Sequence, residues 1–252
     1  MEKIVNNQTN EEDFFELFRK LLEENRIIEK IRTSKFYRTL SGFISDYWLL
    51  LFFTLLITYL ELLYRLYIFG NMNFDYFFAF VFALSGGAAL YIFIGLFPIR
   101  KVRAASSVIT FLAGLVYGTQ LVYYRIFQTP LSLISITGAG DALKFVDIIL
   151  EAIWKNIIAI LLLFVPFILL LIFKKILVFK ERSFIEWSYV LLFCVISFSS
   201  AIVCVASTGD EPISQYNLYF HETSPELSIN KLGVMTTMRL DLEKLVFGEV
   251  KS

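Results

Sequence analysis

Between Asp46 and Ser207 the chain alternates long apolar runs with short polar connections. Five of the runs, near 47–69, 75–98, 105–125, 154–173 and 185–206, are long enough to cross a bilayer. A hydrocarbon core of about 30 Å takes roughly 20 helical residues per crossing, and only helices or closed barrels satisfy every backbone group in that environment. The runs are continuous rather than alternating, which points to helices. The predicted fold is therefore all-α: a polytopic membrane protein with five transmembrane helices and amphipathic interfacial helices beside them. Three regions follow, a cytoplasmic amphipathic leader over 1–45, a five-span domain over 46–207 and an extracellular connector over 208–252.

The flanking pattern is amphipathic. In 11–32, Phe14, Phe18, Leu21, Ile28 and Ile31 recur near helical spacing and lead into the basic stretch Lys35-Phe36-Tyr37-Arg38. Such a helix can lie on an anionic inner leaflet or pack against the cytoplasmic ends of the spans. In the connection 126–153, Asp141 is a candidate N-cap for a surface helix carrying Leu143, Val146, Leu150 and Ile153. Gly138 and Gly140 ahead of it allow a sharp turn. They could also cradle a phosphate at the helix N-terminus, although Asp141 would repel one. Past Ser224-Pro225, a cap followed by proline at the first helical position, an apolar stripe runs through Leu232, Met235, Met238, Leu242 and Leu245. That stripe is a candidate docking face for a partner.

Charge sets the orientation. Twelve basic residues lie in alternate segments, Arg26 to Arg38 in the tail, Arg100, Lys101 and Arg103, and Lys174 to Arg182. The opposite side holds Lys144 alone, or three with the edge residues Arg125 and Lys155. Positive segments resist translocation, so the N-terminus is expected inside and the C-terminus outside. The formal net charge of +0 conceals this segregation, and a composition of 57% hydrophobic residues with 27 Phe departs from that of a soluble domain. Residues 1–45 are charged and carry no cleavable signal. Cys194 and Cys204 lie ten residues apart in the fifth run, about 15 Å along a helix and too far for a disulfide.

Inside the spans four polar residues stand out. Glu61 and Arg65 are one helical turn apart in the first span, in the order that favours an in-helix pair. Ionisable groups at such depth face a protein interior or a wet cavity, so they are either an internal structural pair or a polar site for a lipid headgroup. Gln120 lies at similar depth in the third span and is the natural interhelical partner, with Arg125 at that span's outer edge. Ser85-Gly86-Gly87-Ala88-Ala89, Gly114 and Gly118 offer small surfaces for close helix packing.

Catalytic chemistry is sparse. A metal-dependent enzyme needs several ligands converging on one point, but the chain has one histidine, His221, in a polar tail. No P-loop, Gly-x-Ser-x-Gly or Cys-x-x-Cys occurs, and nothing points to nucleic acid. No cofactor or metal site is expected in this chain.

The text Tyr124-Arg125-Ile126-Phe127-Gln128-Thr129-Pro130-Leu131-Ser132 with Gly138-Ala139-Gly140, then Asn230-Lys231-Leu232-Gly233 with Asp241, and Leu60-Glu61-Leu62-Leu63-Tyr64-Arg65-Leu66 in the first span, resembles the lipoteichoic acid synthase family of phosphoglycerol transferases. The similarity covers roughly 45–248. In that family a five-span domain precedes an extracellular sulfatase-like domain, in which a threonine nucleophile and a divalent metal, typically manganese, transfer glycerol phosphate from phosphatidylglycerol. The resemblance implies a bacterial plasma-membrane protein of Gram-positive type, membrane lipids such as phosphatidylglycerol as partners, and a catalytic domain in cis or in trans. This chain is expected to lack the catalytic domain, so no catalytic residue carries over, and an anchoring, lipid-presenting module is what remains. The alternatives are a stand-alone membrane scaffold or a small lipid transporter. Five spans cannot form the two matched halves usual in transporters.

Overall fold

The computed structural model describes residues 35–70, 76–132, 146–173, 183–221 and 224–248, and these residues form helices and their connections with no β-strand among them. The leader over 11–32, the Gly138 to Asp141 turn and the basic connection 174–182 lie outside the described residues. The chain divides into two compact units, 1–48 and 49–252. Of the first, 35–48 is helical, with a break at Tyr47 (φ −109°, ψ 15°).

Among the described residues four helices are long and apolar enough to cross a membrane, and the protein is a multi-pass membrane protein. They are the Asp46–Ile68 part of α1 (Lys35–Ile68), α2 (Tyr76–Gly95), α3 (Ile99–Phe127) and α7 (Phe184–Ala206). Pro98 starts α3 six residues ahead of the apolar run, so Arg100, Lys101 and Arg103 are already helical. At 29 residues this helix is about 43 Å long, more than a hydrocarbon core needs.

The fourth apolar run is a segmented helix, where the sequence pattern predicts a single one. The helix expected at the membrane surface, α4 (Val146–Lys155), leads into it, and the run itself comprises α5 (Ile157–Leu163) and α6 (Val165–Ile172). Asn156 leaves helical geometry (φ −111°, ψ 18°) and its side-chain amide donates back to the Ala152 carbonyl, 2.8 Å away. The second break has a covalent cause. Pro166 lacks the N–H that would reach the Leu162 carbonyl, and the Tyr59 hydroxyl of α1 donates to that carbonyl instead, at 2.8 Å. A freed backbone group at bilayer depth thereby regains a partner.

Two packing relations hold the bundle. The α2 and α7 helices run antiparallel, as Gly95 meets Trp187, the Ser85 carbonyl meets the Cys194 thiol and Phe82 meets Phe198. The small residues Ser85, Gly86, Gly87 and Ala88 are all buried, and a side chain at Gly87 would collide with the backbone of Thr54 in α1. Close approach of this kind replaces the hydrophobic drive that lipid cannot supply. On the other side α3 carries the α5–α6 run, with Phe111 against Phe164 and Phe167, and Gly114 against Phe164. Gly118 has open space beside it.

At the end of the bundle where α1, α3 and α7 finish and α2 begins, three short helices cover the core: α8 (Gln215–Phe220), α9 (Pro225–Leu232) and α10 (Val234–Phe247). Phe78, Phe82, Ala201, Val205, Leu218, Leu232 and Leu240 form one buried cluster there.

Candidate functional site

The polar centre of the molecule is the break between α9 and α10. Had the helix continued through Gly233, the Val234 amide would bond the Asn230 carbonyl four residues back. At φ +92°, Gly233 ends that ladder, leaving orphan carbonyls on one side and orphan amides on the other. Both sets are met by one turn of α1. The Glu61 carboxylate accepts from the amides of Val234 (3.0 Å) and Met235 (2.8 Å) and from the Tyr117 hydroxyl (2.7 Å). The Arg65 guanidinium donates to the Asn230 carbonyl (2.6 Å) and to its side-chain Oδ1 (2.9 Å).

The signs of these contacts match the helix dipoles. An anion sits at the N-terminus of α10 and a cation at the C-terminus of α9, each the favourable arrangement. Charge-assisted bonds of this type are stronger than neutral ones, and in a water-poor setting they supply what a capping side chain at Gly233 cannot. Glu61 is 5% exposed and Arg65 4%, so the pair faces the hairpin rather than lipid or water. A Cβ on Gly233 would lie 2.9 Å from the Glu61 carboxyl atoms. The close approach therefore depends on glycine as much as the dihedral does.

This geometry makes α9 and α10 a re-entrant hairpin. Going down α9, Glu226 accepts from the Tyr124 hydroxyl (3.0 Å), three residues from the end of α3, and Asn230 then meets Arg65 three residues from the end of α1. Deepest of all, Met235 packs on Gly86, ten residues into α2. On the way out Arg239 bonds the Tyr219 hydroxyl (2.7 Å) and Glu243 (2.9 Å), with its guanidinium over the rings of Phe198 and Tyr219. Burial pushes the Tyr219 phenol above its ordinary value, with Arg239 acting the other way.

Of the other two polar residues singled out in the spans, Gln120 serves a loop and Arg125 a helix end. Gln120 brackets the backbone of Leu131, its amide donating to the carbonyl (2.7 Å) and its oxygen accepting from the N–H (3.0 Å). Tyr117, one turn earlier on the same buried face of α3, fills the interhelical place beside Glu61 that the sequence pattern gives to Gln120. Its only advance signal was that spacing. Arg125 is exposed and donates to the Tyr67 carbonyl at the end of α1. Between Gln120, Pro130, Leu131, Pro225, Thr237 and Asp241 lies a cavity with room for about one water.

The apolar stripe of the tail is divided. Leu232 is buried in this chain's own core and Met235 and Met238 are half-buried, whereas Leu242 and Leu245 are 52% and 51% exposed. The reason is the re-entry, which turns the lower half of the stripe inward. His221 is an exposed C-cap of α8, and among the described residues no group of His, Cys, Asp or Glu is placed to hold a metal.

No family model, curated protein or solved structure matches this chain.

Proposed function

We propose that this chain is the membrane-anchoring and lipid-presenting module of a lipoteichoic-acid-synthase-like phosphoglycerol transferase. In this reading it has five crossings, its N-terminus inside and its C-terminus outside the plasma membrane of a Gram-positive bacterium. The crossing beyond the four long helices, fourth in chain order, is the segmented α5–α6 run. Rising residue number along α3 meets falling number along that run, Gly114 against Leu163 and Phe111 against Phe167, which supports a return passage. The segregation of basic residues supports the orientation.

The observation that carries the reading is the clamp on Gly233. A connector to a catalytic domain at the outer surface would swing freely if it simply left the last span. Here Glu61, Arg65, Tyr117 and Tyr124 hold both arms of the hairpin, and whatever α10 carries is fixed over one part of the bundle. In that position a manganese-dependent sulfatase-like domain, joined in cis or bound in trans, would meet phosphatidylglycerol at a set height. The module itself supplies no reacting group.

Two measurements test this. A dual alkaline phosphatase and fluorescent reporter fused after Ser252 reads the side of the C-terminus, and activity confined to the cytoplasm would reject the topology. Reconstitution of the full chain with a sulfatase-like phosphoglycerol transferase domain, in vesicles of labelled phosphatidylglycerol, reads the function. Turnover that depends on the chain and is lost in Glu61→Leu is expected. Turnover unaffected by omission of the chain would sink the proposal and favour a stand-alone scaffold.

A further inference from the structure

We infer that the last turns of α10 form a lipid contact, an apolar fin seated at the boundary between hydrocarbon and headgroups on the side of the membrane where α1 and α3 end. The 20 residues of α2 span about 30 Å, the thickness of a hydrocarbon core, which puts Tyr76 at one boundary. Met235 packs against Gly86, ten residues further along, about 15 Å inside that boundary. From Met235 to Phe247 α10 rises about 18 Å, so even an upright α10 carries Phe247 only a few ångströms past the level of Tyr76.

At that level α10 exposes a run of apolar side chains, with the exposed Glu243 among them held by Arg239. Leu242, Leu245, Val246 and Phe247 are between 51% and 80% exposed, and Ile213, just ahead of α8, and Phe220, at its end, are 55% and 49% exposed. The charge on the same helix is treated as a low-dielectric site requires. Arg239 is paired with Glu243, bonded to Tyr219 and covered by two aromatic rings. Aromatic and aliphatic side chains with a neutralised cation are the chemistry of an interfacial contact. The α7 helix exposes the same chemistry along its length, at Leu191, Leu192, Val195, Ile196 and Val203. This inference rests on the membrane reading alone and not on the transferase.

The test uses the full chain in nanodiscs of phosphatidylcholine and phosphatidylglycerol, with Cys194→Ala and Cys204→Ala removing the native thiols. Nitroxide labels are placed at Leu245→Cys and, separately, Phe247→Cys, with Val203→Cys as a lipid-facing reference and Asp210→Cys as an aqueous one. The expected result is that both fin labels collide severalfold more with dissolved oxygen than with a water-soluble nickel chelate, as Val203→Cys does. A preference for nickel like that of Asp210→Cys would overturn the inference in favour of water. Exclusion of both reagents would overturn it in favour of a protein occupant, whether a second copy or a docked domain.

Discussion

The Asp46–Ile68 part of α1 and the α7 helix are both 23 residues long, yet they do opposite work. The α7 helix is the more apolar, and only 22% of its most apolar stretch is buried in the protein, against 50% for α1. In a soluble protein the order would be reversed. Within a membrane, apolar surface gains nothing by leaving lipid, so the helix that can least tolerate lipid takes the centre. The α1 helix owes its place to Glu61, Arg65 and Tyr59, and it serves three other elements through them: α10, α9 and the gap above Pro166. The α7 helix contributes a single packed face, read by Trp187, Cys194 and Phe198 against α2.

The largest loss is expected at Glu61. Replacement by leucine strands the amides of Val234 and Met235 and the Tyr117 hydroxyl, each worth about 1–3 kcal/mol when left unpaired in a buried site, so a loss of at least about 3 kcal/mol is expected in equilibrium unfolding in mixed micelles. Glu61→Gln keeps an acceptor and should lose less. If Glu61 and Arg65 served only each other, the double leucine variant would recover what either single change loses. Because each holds a different arm of the hairpin, the double variant is expected to be at least as unstable as Glu61→Leu. Recovery in a double-mutant cycle would overturn the two-armed clamp.

Gly233→Ala comes next. A non-glycine residue in sparsely populated backbone space costs about 1–3 kcal/mol, and here the new methyl also presses on the Glu61 carboxylate. A loss near the top of that range, with faster proteolysis of 224–248 while the spans stay intact, is the expected reading. Gly87→Ala should cost somewhat less, about 1–3 kcal/mol as overpacking does, because α2 must move off the Thr54 backbone; an unchanged melting midpoint would show that the α1–α2 contact is looser than described. The smallest effect is expected on α7. Val195→Ala, at a side chain 55% exposed, should stay within about 0.5 kcal/mol. A loss comparable with that of Gly87→Ala would mean that α7 buries this face against another protein surface rather than lipid.

Much of the architecture was legible along the chain because it depends on local composition. Four of the five apolar runs are the long helices α1, α2, α3 and α7, the small residues of α2 mark the close contact with α1, and Ser224-Pro225 begins α9. The fourth run was read as one helix because its hydropathy is unbroken. Asn156 and Pro166 could signal a break but not its repair, since the hydroxyl that satisfies Leu162 comes from Tyr59, more than a hundred residues earlier.

The site divides in the same way. Two ionisable residues one turn apart inside an apolar helix announce a protein-facing centre from sequence alone, because charge in lipid is costly wherever the fold puts it. What they bind was decided by the tertiary structure. Glu61 meets amides 173 and 174 positions away, and Arg65 meets a carbonyl 165 positions away, only because the hairpin re-enters the bundle. Hydrophobic patterning records which side chains avoid water, and it therefore marked Leu232 and Leu245 alike. Which of them turns inward depends on where the orphan amides and carbonyls around Gly233 find opposite charge, and that is a property of depth and packing rather than of local sequence.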